Sequence, residues 1–110
     1  MLTPPGAGTI NNRDPVVIMR SDDGGVEVLA EDRAYLLPSG SLHDLLFFGN
    51  RVRLTEDGLE VDGAVAWPGP DRRWINFAIG GVHYLLQRSR LVWVARGDVP
   101  VDRLCCVGVR

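Results

Sequence analysis

Apolar and polar positions alternate with a period of two along most of the chain. The runs are short and separated by turn-forming residues, a pattern that specifies half-buried β-strands. Residues 16–20 form the first run. Asp22-Asp23-Gly24-Gly25 turns it into residues 26–29, where Val26 and Val28 alternate with Glu27. Glu31-Asp32-Arg33 turns again into residues 34–37, and Pro38-Ser39-Gly40 stops that run.

Residues 42–48 depart from the alternation and read as a helix of about two turns, on the α-helical repeat. Ser41 is placed to cap it, with Asp44 three residues on, and Gly49 supplies the stop. This helix directs Leu42, Leu45, Leu46 and Phe48 towards a core. Strand patterning resumes at residues 51–55. Glu56-Asp57-Gly58 turns the chain into residues 59–62, with 64–67 continuing beyond Gly63. Arg51 and Arg53 are then expected across from Glu60 and Asp62 as cross-strand pairs. Pro68-Gly69-Pro70-Asp71 is the sharpest break in the sequence.

The next hairpin is legible side chain by side chain. With Gly80-Gly81 as a two-residue turn, Ile79 faces Val82, Phe77 faces Tyr84 and Ile75 faces Leu86. Those six residues form a core face. The opposite face carries Trp74, Asn76, Ala78, His83, Leu85 and Gln87, which is half apolar; a second layer or a partner is expected to cover it. Arg72, Arg73, Arg88 and Arg90 converge at the hairpin's open end. Residues 89–97 fit two states: Ser89 and Gly97 suit a helix, while Val92, Trp93 and Val94 favour a strand.

The expected architecture is mainly β, or α+β: a small antiparallel sheet or barrel-like domain of six to eight strands with one or two short helices. Its core is expected to hold Val16, Ile18, Val28, Leu36, Leu45, Leu46, Val52, Leu54, Val61, Ile75, Phe77, Tyr84, Leu86 and Val92. No internal repeat is apparent. Residues 1–14, rich in Gly, Pro, Asn and Thr, read as a flexible arm ahead of one domain over 15–110. A chain of 110 residues supports a single core.

Charge is distributed unevenly. Residues 1–62 hold eleven acids and five arginines, whereas 63–110 hold three acids and seven arginines. All twelve basic residues are arginine, the side chain suited to bidentate carboxylate or phosphate contact and to stacking. The two halves either neutralise each other or present a basic face to an anionic partner. No apolar run approaches the roughly 20 residues that span a bilayer, and Met1-Leu2-Thr3-Pro4-Pro5-Gly6 lacks the regions of a secretory signal. Cytoplasmic residence is the resulting expectation.

The two cysteines, Cys105 and Cys106, are adjacent. That spacing suits neither a redox Cys-x-x-Cys nor a zinc ribbon, so they read as reduced small hydrophobes in a terminal strand, with a vicinal redox pair as the alternative. His43, His83 and the cysteines lack close ligand spacing, and no metal or other cofactor is expected. Ser41, His43 and Asp44 fit helix capping better than a catalytic triad. The paired acids all fall in turns, where they bond the backbone.

One stretch resembles a known family. Ile79-Gly80-Gly81-Val82-His83-Tyr84-Leu85-Leu86, then Arg90-Leu91-Val92-Trp93, then Gly97-Asp98-Val99-Pro100, is similar to part of the phage and intron HNH endonucleases. In that family a glycine-turned hairpin leads to a helix, a Gly-x-x-Pro loop and a catalytic Asn-His strand. The resemblance covers residues 79–100 and implies a helix at 90–96. Ser89 stands where the family has a histidine, and the expected Asn-His strand reads Leu104-Cys105-Cys106-Val107. A nuclease needs a base and a cation, so the resemblance implies a catalytically inactive relative.

The functional expectation is a non-catalytic interaction module, encoded by a phage or mobile element, that binds and inhibits a host macromolecule. An inhibitor of a CRISPR effector is one example; the phage source rests on the resemblance. The expected partner is a protein or nucleoprotein complex, with a homodimer as a further possibility and no membrane. A small DNA-binding protein is the alternative, opposed by a pI near 5.6. The partner-binding candidates are Arg72, Arg73, Trp74, His83, Arg88, Arg90 and Arg96; no residue is assigned a catalytic role.

Overall fold

The computed structural model describes residues 15–30 and 32–109. Nine strands and two helices follow in the order β1 (Val17–Arg20), β2 (Val26–Ala30), β3 (Arg33–Leu37), α1 (Ser39–Phe48), β4 (Val52–Glu56), β5 (Leu59–Pro68), β6 (Trp74–Ile79), β7 (Val82–Gln87), α2 (Arg88–Arg96), β8 (Val101–Arg103) and β9 (Cys105–Val109). The fold is mainly β and barrel-like, as the alternation requires, with nine strands where six to eight were expected. The expected amino-terminal arm lies outside the described residues.

All nine strands join one antiparallel sheet in the order β8-β1-β2-β3-β4-β5-β6-β7-β9. Its two edge strands are separated in sequence by one residue, Leu104. That residue is buried, and its N–H donates to the carbonyl of Val16 at 2.8 Å. A single length of chain therefore pairs with β1 at its start and β7 at its end, nearly closing the sheet on itself. Closure removes most of the unpaired edge that an open sheet exposes. The interior is filled by inward-facing residues of every other position, including Ile18, Val26, Leu54, Phe77 and Leu86.

The structure contains a repeat that the linear sequence conceals. β1-β2-β3-α1-β4 and β5-β6-β7-α2-β8/β9 are two copies of one arrangement: a three-strand meander, a helix entered directly, and a strand that pairs with both meanders. Registers agree as well, since Val26↔Leu37 and Val28↔Tyr35 match Ile75↔Leu86 and Phe77↔Tyr84. The offset is 49 residues (75 less 26). At that offset Val26, Val28, Ala30, Tyr35, Leu37, Leu42 and Leu45 correspond to Ile75, Phe77, Ile79, Tyr84, Leu86, Leu91 and Val94, all buried.

The two copies lock through their helix ends. Each helix terminates at a glycine in the left-handed region, Gly49 (φ 69°) and Gly97 (φ 86°), the conformation a side chain disfavours. Each end is covered by an arginine from the other copy. A Cβ built on Gly49 would stand 3.7 Å from Arg72 Nη2, and one on Gly97 would stand 2.9 Å from Arg20 Nη1. Guanidinium groups there complement the negative end of the helix dipole.

Several expectations need correction. Ser41 lies inside α1, whose N-cap is Pro38 with no side-chain cap. Proline's fixed φ starts the helix three residues early, at Ser39. The exposed Ser39 N–H is instead met from a distance by Asp23 Oδ2, at 3.3 Å. Asp23 also accepts from the Ser21 hydroxyl and, at 2.8 Å, from Gly25 N–H. The Ser21 bond and these backbone bonds hold its carboxyl below the usual range. Leu36 is half-buried on the outer face, because pairing with β2 turns Tyr35 and Leu37 inward. Residues 90–96 are helical, and that helix buries Leu91 and Val94 while Val92 is half-buried. Leu46, Val52 and Val61 are half-buried at the core's margin. Ser89 does not cap α2; Gln87 occupies that position. Cys105 and Cys106 lie in a strand with free thiols, and both are exposed.

Candidate interaction surface

The outer face of β5-β6-β7 is built by register. Trp67 pairs with Asn76, Asn76 with Leu85 and Leu85 with Cys105, so their side chains form one row across four strands. Val65, Ala78 and His83 form the row beside it. Trp74, opposite Gln87, lies two residues from Asn76 on the same face.

Aromatic and polar groups on this face hold one another. The Trp67 ring stacks on His83, with centroids 5.7 Å apart and planes 14° from parallel. The Arg51 guanidinium sits 4.7 Å from the Trp67 centroid, a cation–π contact. His83 Nε2 and Asn76 Oδ1 are 2.8 Å apart; with the amide oxygen as acceptor, the imidazole donates. Arg51 is thereby held over the indole, and among the described residues it makes no ion pair.

The cross-strand pairing expected of Arg51 is absent for this reason. Arg53 alone approaches the acids, at 3.7 Å from Glu60 and 3.9 Å from Asp62.

Of the seven residues anticipated as partner-binding, His83 belongs to the stack above and the other six separate into two groups. Arg72 and Arg88 line a small cleft with Leu45, Leu46, Gly49, Pro68 and Ile75. Arg88 Nη2 donates to the Leu46 carbonyl at 3.1 Å, supplying the positive charge that α1's own last turn lacks. Arg73 and Trp74 flank this end of the hairpin; Trp74 is 37% exposed. Among the described residues neither Arg72 nor Arg73 makes an ion pair. Arg72 also holds a left-handed backbone, φ 62°, which costs an ordinary side chain about 1 kcal/mol or more.

The second group is committed elsewhere. Arg90 grips Asp102 through two hydrogen bonds, the Nε one at 2.8 Å. That hydrogen bonding raises the Arg90 pKa and holds the Asp102 carboxyl below its usual range. Arg96 lies 3.5 Å from Asp98. Arg90 therefore does not join the cluster at the hairpin's end. The ion pairs found all lie within residues 33–62 or within 90–102; none joins the acidic half to the basic half.

Beside Trp74 runs an open groove of about 360 Å³, lined by Gly69, Pro70, Asp71, Trp74, Asn76 and Leu85. The repeat places a counterpart of about 310 Å³ in the first half, lined by Arg20, Ser21, Asp22, Asp23, Glu27 and Leu36. The two grooves share a scaffold and differ in chemistry. One is acidic, whereas the other is aromatic and lies beside the arginines. Sequence reading missed Arg51, Trp67 and Asn76 because their roles come from register between strands that the sequence does not align.

Among the described residues no group of three or more His, Cys, Asp or Glu is placed to hold a metal ion. Among the described residues no helix is long and apolar enough to cross a membrane. In comparison with known proteins, the chain matches no family model, no curated protein and no solved structure.

Proposed function

We propose that this protein is a non-catalytic interaction module that docks on an anionic surface of a macromolecular partner through the outer face of β5-β6-β7. The observation that carries the reading is the nearness of Arg72 and Arg73, neither in an ion pair among the described residues, to the part-exposed Trp74 and the Arg51–Trp67–His83 stack. Arginine and tryptophan together dominate the energetics of binding surfaces, because both combine large contact area with directional polar groups. Among the described residues no ion pair joins the two halves, which favours an external anion over internal neutralisation. A more specific version, a phage-encoded inhibitor of a host nucleoprotein such as a CRISPR effector, rests on the resemblance in residues 79–100.

Affinity capture from a bacterial lysate at low salt tests the reading. The full-length protein is compared with Arg72→Ala/Arg73→Ala/Trp74→Ala and with Arg33→Ala, a control on the first half. Loss of the captured species in the triple variant alone supports the proposal. Equal capture by all three sinks it.

A further inference from the structure

Building on that reading, we infer that the anionic partner is single-stranded nucleic acid, with an unstacked base in the Trp74 groove and the adjoining phosphates on Arg51, Arg72 and Arg73. The repeat supplies the first argument. Positions demanded by the fold are apolar in both halves, so a difference at equivalent surface positions reflects something other than folding. Glu27 and Ala34 correspond to Asn76 and His83 at the same offset. The barrel is thus built in its first half without an amide or an imidazole at these places; at Gly25, the counterpart of Trp74, the backbone itself leaves no room for a side chain.

The groove's composition supplies the second argument. Trp74 offers a planar edge and face, and Leu85 and Pro70 offer apolar walls. Asn76 carries both a donor and an acceptor, and Asp71 carries acceptors, one of which meets Arg73 N–H at 3.1 Å. A nucleobase matches this set: it has a π-face for stacking and edge groups that both donate and accept. A carboxylate-rich peptide matches it less well, because Asp71 would face like charge inside the groove.

The arginines supply the third. Arg72 reaches Gly49, two residues from Arg51, so the Arg72 guanidinium and the Arg51 backbone converge at the end of α1, with Arg73 adjacent to Arg72. Guanidinium forks suit phosphate oxygens. The strained backbone of Arg72 fits a side chain retained for its reach. A duplex has its base faces stacked away, so the groove selects single strands.

The test is a fluorescence-anisotropy titration of the full-length protein with a labelled mixed-sequence single-stranded 12-mer, its duplex, and a labelled poly-glutamate peptide, at 50 and 200 mM salt. With three phosphates neutralised, the slope of log affinity against log salt is expected near roughly −2, so that fourfold more salt weakens binding roughly 16-fold. Trp74→Ala is expected to weaken single-strand binding by roughly fivefold or more, while Trp74→Phe keeps the stacking face and much of the affinity. Circular dichroism confirms that each variant is folded. Preference for the single strand, with both mutational effects, upholds the inference. Binding of poly-glutamate but not of oligonucleotide, abolished by Arg51→Ala/Arg72→Ala, overturns it and leaves an anionic protein as partner. Equal binding of duplex and single strand, or effects of Arg but not of Trp74, also overturns it. Failure of all three ligands at 50 mM salt overturns the docking reading together with it.

Discussion

The two halves of the barrel make a natural experiment in what a fold requires. Both wind a meander into a helix, end that helix on a left-handed glycine and cover its end with an arginine from the opposite half. At α2 two neighbouring arginines are matched, Arg90 by Asp102 and Arg96 by Asp98, while Arg20 over its end makes no ion pair among the described residues. At α1 the neighbouring charges are Arg72 and Arg88, with Arg51 nearby, and no acid pairs with any of them among the described residues. One arginine per helix end satisfies the dipole. Each helix end has two arginines, but at α1 neither meets an acid among the described residues, and this pair lies beside the aromatic groove.

If the halves share one core, damage to either must unfold both. Phe77→Ala, at a site with no exposed surface, is expected to cost about 4 kcal/mol. Val28→Ala, at the equivalent position, removes less and is expected to cost about 2 kcal/mol. Urea unfolding of both variants, followed by fluorescence and far-UV circular dichroism, should give one coincident transition each. Two separated transitions would show that the copies fold as independent units.

Gly25 and Trp74 occupy equivalent places yet exchange poorly. A Cβ on Gly25 would stand 2.1 Å from the Leu37 carbonyl oxygen and 2.8 Å from Ser39 N. Backbone cannot yield there without breaking the entry into α1. Gly25→Ala is expected to cost about 3 kcal/mol, in the range of severe overpacking, whereas Trp74→Ala should cost about 1 kcal/mol because the ring is part-exposed. Thermal melts of the pair test this. Similar losses would mean that Trp74 is a structural residue and weaken its assignment to a binding surface.

How much of this was legible in sequence varies with the physics involved. The β6-β7 hairpin was read residue for residue, because a Gly-Gly turn fixes register and strict alternation fixes the faces. β3 was read one residue out of phase. Ala34-Tyr35-Leu36-Leu37 is apolar throughout, so alternation carries no information and pairing with β2 decides. The repeat was hidden for a different reason. The correspondence drifts from Val16 and Ala64 to Leu54 and Leu104 because loop lengths differ between the copies, and identity is confined to a few places such as Tyr35-Leu36-Leu37 and Tyr84-Leu85-Leu86. At the candidate surface the cluster at the hairpin's end was anticipated for Arg72, Arg73 and Arg88. The pairing of Arg90 with Asp102 was not anticipated, since Asp102 lies across the α2–β8 loop that local pattern does not position, whereas Arg96 pairs with Asp98 only two residues on.

The matched charges at α2 are expected to show in the acid limb of stability. Asp102 is pushed below its ordinary range by its hydrogen bonds from Arg90, so its contribution is complete above the unfolded-state value near 3.8. That contribution is lost as pH falls through the lower folded-state value. Asp102→Asn should therefore lower stability by about 1 kcal/mol at pH 6, a figure kept small by the solvent exposure of Arg90. The wild-type advantage should shrink as pH falls below the unfolded-state value near 3.8 and vanish only below the lower folded-state value. Urea titrations at pH 6, 4 and 3 measure it. An advantage that persists unchanged at pH 3 would show that packing, rather than the ion pair, stabilises this end.

The smallest expected effect separates the two helix ends most cleanly. Arg20 and Arg72 play equivalent parts, covering Gly97 and Gly49. Their backbones differ, because Arg20 closes an extended strand while Arg72 sits at φ 62°. Arg20→Gly loses the contact with α2 and gains nothing, so it should cost about 1 kcal/mol. Arg72→Gly loses the same kind of contact but relieves a left-handed side chain, worth about 1 kcal/mol in the other direction. Its net change should stay within about 0.5 kcal/mol of zero, while binding of the anionic partner falls. Paired urea melts of the two variants decide the matter. If Arg72→Gly proves as costly as Arg20→Gly, the strain at Arg72 is negligible, and the argument that this arginine is held in place for a ligand loses one of its supports.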